Sequence, residues 1–243
     1  FLGILLILGG VGVVLDQGNI GKYKDVKRDR LWETYYENGQ LKAKGNLKDG
    51  KNDGLWETFH ENGQLESKGN YKGGEPDGLW EGYYENGQLR ERGTFKDGKR
   101  EGVWEEYDEN GQLVSKGNYK HGEPDGLWGT TYGEVNQIGK YKDGKREGVW
   151  EGYDKNGQLA SKGNYKLGEL DGLWERYHEN GQLKLKGNYK NWKENGLWEW
   201  YDENGQLEVK VNYKDGKQDG LSEWYDENGQ LKSKGNYKDG KQD

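Results

Sequence analysis

One short phrase, Leu-Trp or Val-Trp, returns along this chain at a near-constant interval, with its indole at Trp32, Trp56, Trp80, Trp104, Trp128, Trp150, Trp174 and Trp198. Every step is 24 residues except that from Trp128 to Trp150, which is 22, and a ninth copy reads Leu221-Ser222. A second phrase, Glu-Asn-Gly-Gln-Leu, occupies residues 37–41 and 61–65 and recurs to 227–231, with Lys155 replacing Glu in one copy. A fixed period of this length is the signature of a repeat architecture, in which each unit packs on its neighbours and not around one shared core.

The period decides between order and disorder. A chain of 243 residues with 30% hydrophobic and 33% charged residues and mean hydropathy -1.33 has the composition of a disordered segment. Its 11 Trp and 18 Tyr oppose that reading, because disordered segments are poor in aromatics. The net charge of -7, without a basic stripe, argues against a nucleic-acid partner and against attraction to anionic lipid. With no Cys there is no disulfide, no thiolate nucleophile and no Cys-ligated metal.

Within residues 55–78 the pair Asn62-Gly63 is a strong hairpin signal, and a two-residue type I′ loop is expected there. Glu61 then faces Gln64, His60 faces Leu65, Glu57 faces Lys68 and Trp56 faces Gly69. A four-residue loop at 73–76 continues the same rows, so Lys68 also meets Glu81 and Gly69 also meets Trp80. Two ladders follow, one of Glu and Lys and one of Trp and Gly. Alternation places Trp56, Leu65, Gly69 and Tyr71 on one face and Leu55, Glu57, Phe59 and Lys68 on the other. The fold class is all-β: an elongated antiparallel β-hairpin repeat array, a single extended meander sheet with about two strands per repeat. About eighteen strands at ~4.8 Å make a ribbon of about 85 Å.

The pattern Asp-Gly-Leu-Trp-Glu-x-Tyr-x-Glu-Asn-Gly-Gln-Leu-x-x-Lys-Gly-Asn-Tyr-Lys-Asp-Gly resembles the bacterial MORN repeat variant over roughly residues 18–243. That resemblance implies extended antiparallel hairpin arrays. Bacterial members are often labelled putative antitoxin components of toxin–antitoxin modules. Tyr-Asp-Glu-Asn-Gly-Gln-Leu at 201–207 and 225–231 is also similar to the YD repeats of large secreted shell proteins, which lack the Gly-Leu-Trp element.

Two regions depart from the repeat. Residues 1–15 are apolar and interrupted only by glycine, and the chain contains no Met. Residues 1–17 are therefore expected to be a truncated signal peptide or membrane anchor, held outside the repeat fold, with a buried N-terminal strand as the alternative. Residues 129–140 lose Asn-Gly-Gln-Leu, and 138–150 mirror 20–32 at an offset of 118. This divides the array into blocks 18–137 and 138–243, with a kink or hinge expected near 129–140; a simple deletion is the alternative.

A catalytic centre should stand out from the repeat, and none does. His60, His121 and His178 are isolated, with no metal spacing and no nucleophile partner. Glu and Lys recur alike in most repeats, which singles out no acid–base pair. The Asp-Gly-Lys turns lack calcium-loop spacing. Trp192 and Trp200 add aromatics off the Trp row. The expectation is a protein that is not an enzyme, with no cofactor and no metal. It is exported or membrane-anchored by its N-terminus, and it meets a protein partner through the row Trp32 to Trp198. Cell-wall carbohydrate is the alternative ligand, and any membrane contact is confined to the N-terminal segment. Because both edges of a repeat present the same ladder, deleting one 24-residue unit should leave a cooperative thermal transition and a β-type circular dichroism spectrum; loss of either sinks the repeat reading.

Overall fold

The computed structural model describes residues 5–8, 11–16, 19–24, 29–132 and 135–243, and among these there is no helix. The chain divides into two compact units, Phe1–Glu123 and Pro124–Asp243. In the first, strands β1 (Leu5–Leu8), β2 (Val11–Asp16), β3 (Asn19–Lys24), β4 (Asp29–Tyr35), β5 (Leu41–Lys48) and β6 (Lys51–Phe59) each pair antiparallel with the next. The meander goes on through β7 (Leu65–Lys72), β8 (Glu75–Tyr83), β9 (Leu89–Lys96), β10 (Lys99–Tyr107) and β11 (Leu113–Lys120). The second unit repeats the plan with β12 (Glu123–Tyr132), β13 (Val135–Lys142) and the strands β14 to β22 between Lys145 and Gln242. Each repeat supplies two strands.

The rows are those expected: Trp56 lies opposite Gly69, Glu57 opposite Lys68, Lys68 opposite Glu81 and Gly69 opposite Trp80. The turns that produce them are not. At Asn62-Gly63 the loop has three residues, since the His60 N–H donates to the Gln64 carbonyl and the Gly63 N–H to the His60 carbonyl. Gly63 has φ +85°, whereas Asn62 is not among the positive-φ residues. This is a type I turn closed by a left-handed glycine, and not a type I′ turn. The extra loop residue is offset by a bulge at Glu66, because Thr58 pairs with Ser67 and Phe59 with Leu65. Leu65 therefore shares the face of Phe59 and not, as expected, that of Trp56.

The type I′ geometry sits instead at the second turn, where Asp49 and Gly50 have φ of 50° and 79°. That loop has two residues and not four, Lys48 pairing with Lys51 and Lys72 with Glu75. A shift of two residues then separates Tyr71↔Pro76 from Gly69↔Trp80 and carries the left-handed Gly78, φ +117°. Each bulge returns the ladder to its row. Parity survives at both turns, and so do the faces of Trp and Lys.

The N-terminal run carries strands of its own. Its strands β1 and β2 pair with each other, and β2 with β3. Val, Ile and Leu favour strands, and β3 offers an edge to be covered. Beyond it, β3 meets β4 with Tyr23 opposite Trp32, two residues from the register of later repeats. Val26 and Arg30 stand where the second block has Gly144 and Gly148, and Gly148 has φ +70°. Arg30 lacks the freedom of the glycine that opens the shift. In the second unit β12 and β13 pair without a register shift from Gly126↔Tyr141 to Tyr132↔Val135. Residues 133–134, within the expected hinge, lie outside those described. The division between the compact units falls after Glu123, one strand ahead of the block boundary at 137/138.

With a single sheet there is no second layer to form a core, and the Trp row takes that role. Gly45, Gly69, Gly93, Gly139, Gly163 and Gly187 each lie under the indole of the following repeat. A Cβ built at Gly69 would sit 2.3 Å from Trp80 Cε3, and one at Gly93 would sit 2.2 Å from Trp104 Cδ2. The indole N–H also donates to the backbone carbonyl at the register shift: Trp56 to Asn46 at 2.9 Å, Trp104 to Thr94 at 3.0 Å, Trp150 to Lys140 at 3.1 Å and Trp198 to Asn188 at 3.2 Å. Between the indoles stand Tyr71, Phe95 and Tyr119, edge-on with centroids 5.0–6.3 Å apart. Substituting Gly69→Ala should destabilise the protein by about 1–3 kcal/mol through overpacking. Gly129→Ala, whose Cβ would meet nothing closer than 4.0 Å, should stay close to wild type. Urea denaturation of both variants checks this, and equal midpoints would refute it.

Candidate functional site

The Trp row, expected to face a partner, is largely used up within the sheet. Trp104 is only 1% exposed, Trp128, Trp150 and Trp198 are also buried, and Trp32, Trp56, Trp80 and Trp174 are half-buried. Trp56, Trp80, Trp104, Trp150, Trp174 and Trp198 lay their rings on glycine, and Arg100 and Arg146 stack 4.1 Å above Trp104 and Trp150. The row also holds two states that the 24-residue period hides. Trp56, Trp104, Trp150 and Trp198 set the five-membered side of the indole over glycine, while Trp80 and Trp174 set Cε3 there. Pro76 and Leu170 precede the second kind, whereas Asn52, Arg100, Arg146 and Glu194 precede the first. That alternation of apolar and polar residues was the available signal.

The opposite face carries what the chain offers outward. The residue before each Trp projects from it, and Leu55, Leu79 and Val103 are 51%, 71% and 50% exposed. In the second unit Leu127, Val149, Leu173, Leu197 and Leu221 are exposed at the same place. In the first unit Leu55, Leu79 and Val103 line a groove of about 500 Å³ together with Lys68, Glu81 and Arg92. The sequence held this stripe in plain view, since alternation puts the Leu of Leu-Trp opposite the indole. The richer apolar content of the Trp face masks it.

Around the stripe run the ionic rungs. Lys44 meets Glu57 at 2.7 Å, Lys68 meets Glu81 at 2.6 Å and Lys186 meets Glu199 at 2.9 Å. A tyrosine two residues after the Glu donates its hydroxyl to the same carboxylate, as Tyr83 does to Glu81 at 2.7 Å. Glu105 is the most enclosed rung, bonded to Lys116 at 2.9 Å, to Arg92 and to Tyr107.

The remaining candidates have structural partners. His60 and His178 point Nε2 at the carbonyls of Tyr83 and Tyr201 in the next repeat, at 3.0 and 2.9 Å. His121 occupies a left-handed turn position, its N–H bonded to Glu101. Among the described residues no group of three His, Asp or Glu is placed to hold a metal. Trp200 lies half-buried between Leu185 and Val209 in the row that ends at Trp224. Trp192 differs from all of these. It fills a turn position that is Gly in every other copy from Gly50 to Gly240, at φ +64°, 52% exposed and edge-on to Tyr165. A bulky residue in that region of the backbone is strained.

The ionic rungs predict a specific acid response. Lys116, then Arg92, hold the Glu105 carboxyl at about 2, below its ordinary 4.5. A depressed carboxylate stabilises the fold above its unfolded value and loses that contribution as pH falls toward the folded one. Wild type should therefore lose more stability than Glu105→Gln between about pH 4.5 and pH 2. The difference should be small, because Lys116 and Arg92 are largely solvated. Acid titrations monitored by Trp fluorescence test this, and parallel curves for the two proteins would refute it.

No curated protein matches the chain at a significant level. The MORN repeat variant family matches at residues 31–49, 52–72, 76–97, 100–121, 146–167, 170–191, 194–215 and 218–239. The unmatched interval 122–145 contains the shortened hairpin of β12 and β13, where Asn-Gly-Gln-Leu is missing. With well over half of its residues matched in consecutive hairpins, the chain belongs to the MORN repeat variant family.

Proposed function

We propose that the chain is a non-catalytic scaffold that binds a protein partner along the aliphatic face of its sheet. The observation that carries this reading is the solvent-facing series Leu55, Leu79 and Val103 in a groove between Glu–Lys rungs. A row of exposed aliphatic side chains, spaced by Asn70 and Thr94, at the surface of a chain otherwise one-third charged is costly unless something covers it. Repetition lets a partner that spans several hairpins sum similar contacts. The near-identity of the rungs favours binding over catalysis, since no acid or base is set apart. The apolar run at residues 1–15 supports export or anchoring at a membrane as part of this reading. Neutralising a toxin is one specific form of the same reading.

A photo-crosslinking residue at Leu79 should capture the partner in the source cells, and the same residue at Thr58, on the Trp face, should not. Leu79→Asp should weaken binding by about tenfold or more without changing the melt, because one buried leucine is worth that much at an interface. Capture from Thr58 but not from Leu79 would return the binding surface to the Trp side. A second reading, cell-wall carbohydrate, is favoured only by Trp192, an exposed indole held on strained backbone. Retention on wall polysaccharide that disappears in Trp192→Gly would support it.

A further inference from the structure

The Asn-Gly turns are chemically alike in sequence but not in structure. In the turns that open with Tyr36, His60, Tyr84 and His178, the asparagine amide is tied at both ends. Its Oδ1 accepts from the N–H of the following Gln, at 2.9 Å for Asn38, Asn62, Asn86 and Asn180 alike. Its Nδ2 donates to the Glu carbonyl in the turn of the next repeat, at 3.3, 2.8, 2.9 and 2.6 Å respectively. Where the turn opens with Asp, the arrangement changes. Asp154 Oδ1 accepts from both Asn156 and Gln158 N–H and Asp202 Oδ1 from both Asn204 and Gln206 N–H, as Asp108 and Asp226 do in the turns of Asn110 and Asn228. The aspartate has taken the donor that the asparagine otherwise holds. Asn156 and Asn204 then make no bond to the next turn, although Glu179 and Glu227 stand there with the same carbonyl. Asn204 keeps only a contact with Asp202 in its own turn.

Asparagine followed by glycine is the pair most open to intramolecular attack, because glycine has no side chain to shield its amide nitrogen. We propose that Asn156 and Asn204 are selective sites of deamidation in the folded protein, while the tied asparagines are protected. The nitrogen of Gly157 or Gly205 attacks Cγ of the preceding asparagine, forming a C–N bond. The Cγ–Nδ2 bond breaks, and ammonia leaves with the proton from the glycine nitrogen. Water then opens the cyclic imide at one of its two carbonyls, giving aspartate or isoaspartate with no oxidant or cofactor. Attack requires the side chain to rotate toward the glycine nitrogen. In Asn62 or Asn180 that rotation first breaks two hydrogen bonds, one of them to the neighbouring repeat. In Asn156 and Asn204 neither bond exists. Each event adds a negative charge, and isoaspartate adds a backbone methylene to a turn whose closure depends on its length. Both sites lie in the second unit.

The test is to age the full chain in mildly alkaline buffer, with and without urea, and to follow each Asn-Gly peptide by mass spectrometry. In the folded protein Asn156 and Asn204 should convert about fivefold or more faster than Asn62 and Asn180, the factor that one typical hydrogen bond is worth in a rate. In urea the rates should converge. Asp202→His should slow Asn204, and His178→Asp should speed Asn180, with melting temperatures recorded for both variants. Equal rates in the folded protein would overturn the proposal. So would a difference that persists unchanged in urea, which would belong to flanking residues such as Lys155. Variants that keep their melts but leave the rates unmoved would overturn it as well.

Discussion

The indole lying on bare glycine is the contact on which the rest of this protein depends. A sheet with no second layer cannot bury side chains between layers, and it must find close packing within its own thickness. Glycine at one position of each hairpin lets the next hairpin's Trp descend onto the backbone, and the indole N–H then satisfies a carbonyl left over at the register shift. The chain contains a natural variation on this contact. In the ninth copy Ser222 replaces Trp, and in the strand before it Val211 replaces Gly. Val211 is 3% exposed and fills the space that no indole requires. Ser222 is wholly buried, with no hydrogen-bond partner for its hydroxyl, a cost accepted where the pair was given up as a unit. Nearby, Trp200, Val209 and Trp224 form a cross-strand apolar row where other repeats pair Thr58 with Ser67, Gly82 with Glu91 or Glu106 with Ser115.

Glycine freedom enters the architecture a second time, at the shift itself. The two residues gained there carry one left-handed glycine per repeat, such as Gly54 or Gly102. Where that glycine is missing, as at Arg30, the register is displaced and Trp32 faces Tyr23 and not Gly21. The Trp–Gly row thus needs two glycines, one beneath the ring and one at the bend that releases the carbonyl. The turns add ties of their own: the Gly74 and Gly98 N–H groups donate to the carbonyls of Asn52 and Pro76, 22 residues back. These turns fasten neighbouring hairpins at one end as well as along their strands.

How far the sequence disclosed this follows from what a period can encode. Fold class, strand number per repeat and the rows Trp–Gly and Glu–Lys were legible, because recurrence fixes parity and parity fixes faces. Turn types were not. Asn-Gly reads as type I′ and Asp-Gly-Lys-x as a longer loop, yet the two geometries are exchanged. The rows came out unchanged because each misjudged loop is offset by a bulge that no single position announces. Leu65 shows the residual error: it lies between loop and bulge, where parity had already slipped. The two indole states were hidden for another reason, since they follow a period of two repeats, marked by Pro76 and Leu170 against Arg100, Arg146 and Glu194.

The inward use of the aromatics reshapes how such a chain can bind anything. Tryptophan and tyrosine are the side chains from which a contact surface is usually built. Here the most deeply set indoles have one face on glycine and, in two repeats, an arginine on the other. Recruiting them for a partner would mean lifting most of the side chains buried among the described residues. The residue beside each Trp is free of that constraint, because it points away and carries no part of the packing. It can vary between Leu and Val from repeat to repeat, as Leu79 and Val103 do, without disturbing the row behind it. Stability and recognition are therefore separated by a single peptide bond, one residue serving each face. A repeat protein can then change what it binds without changing how it folds.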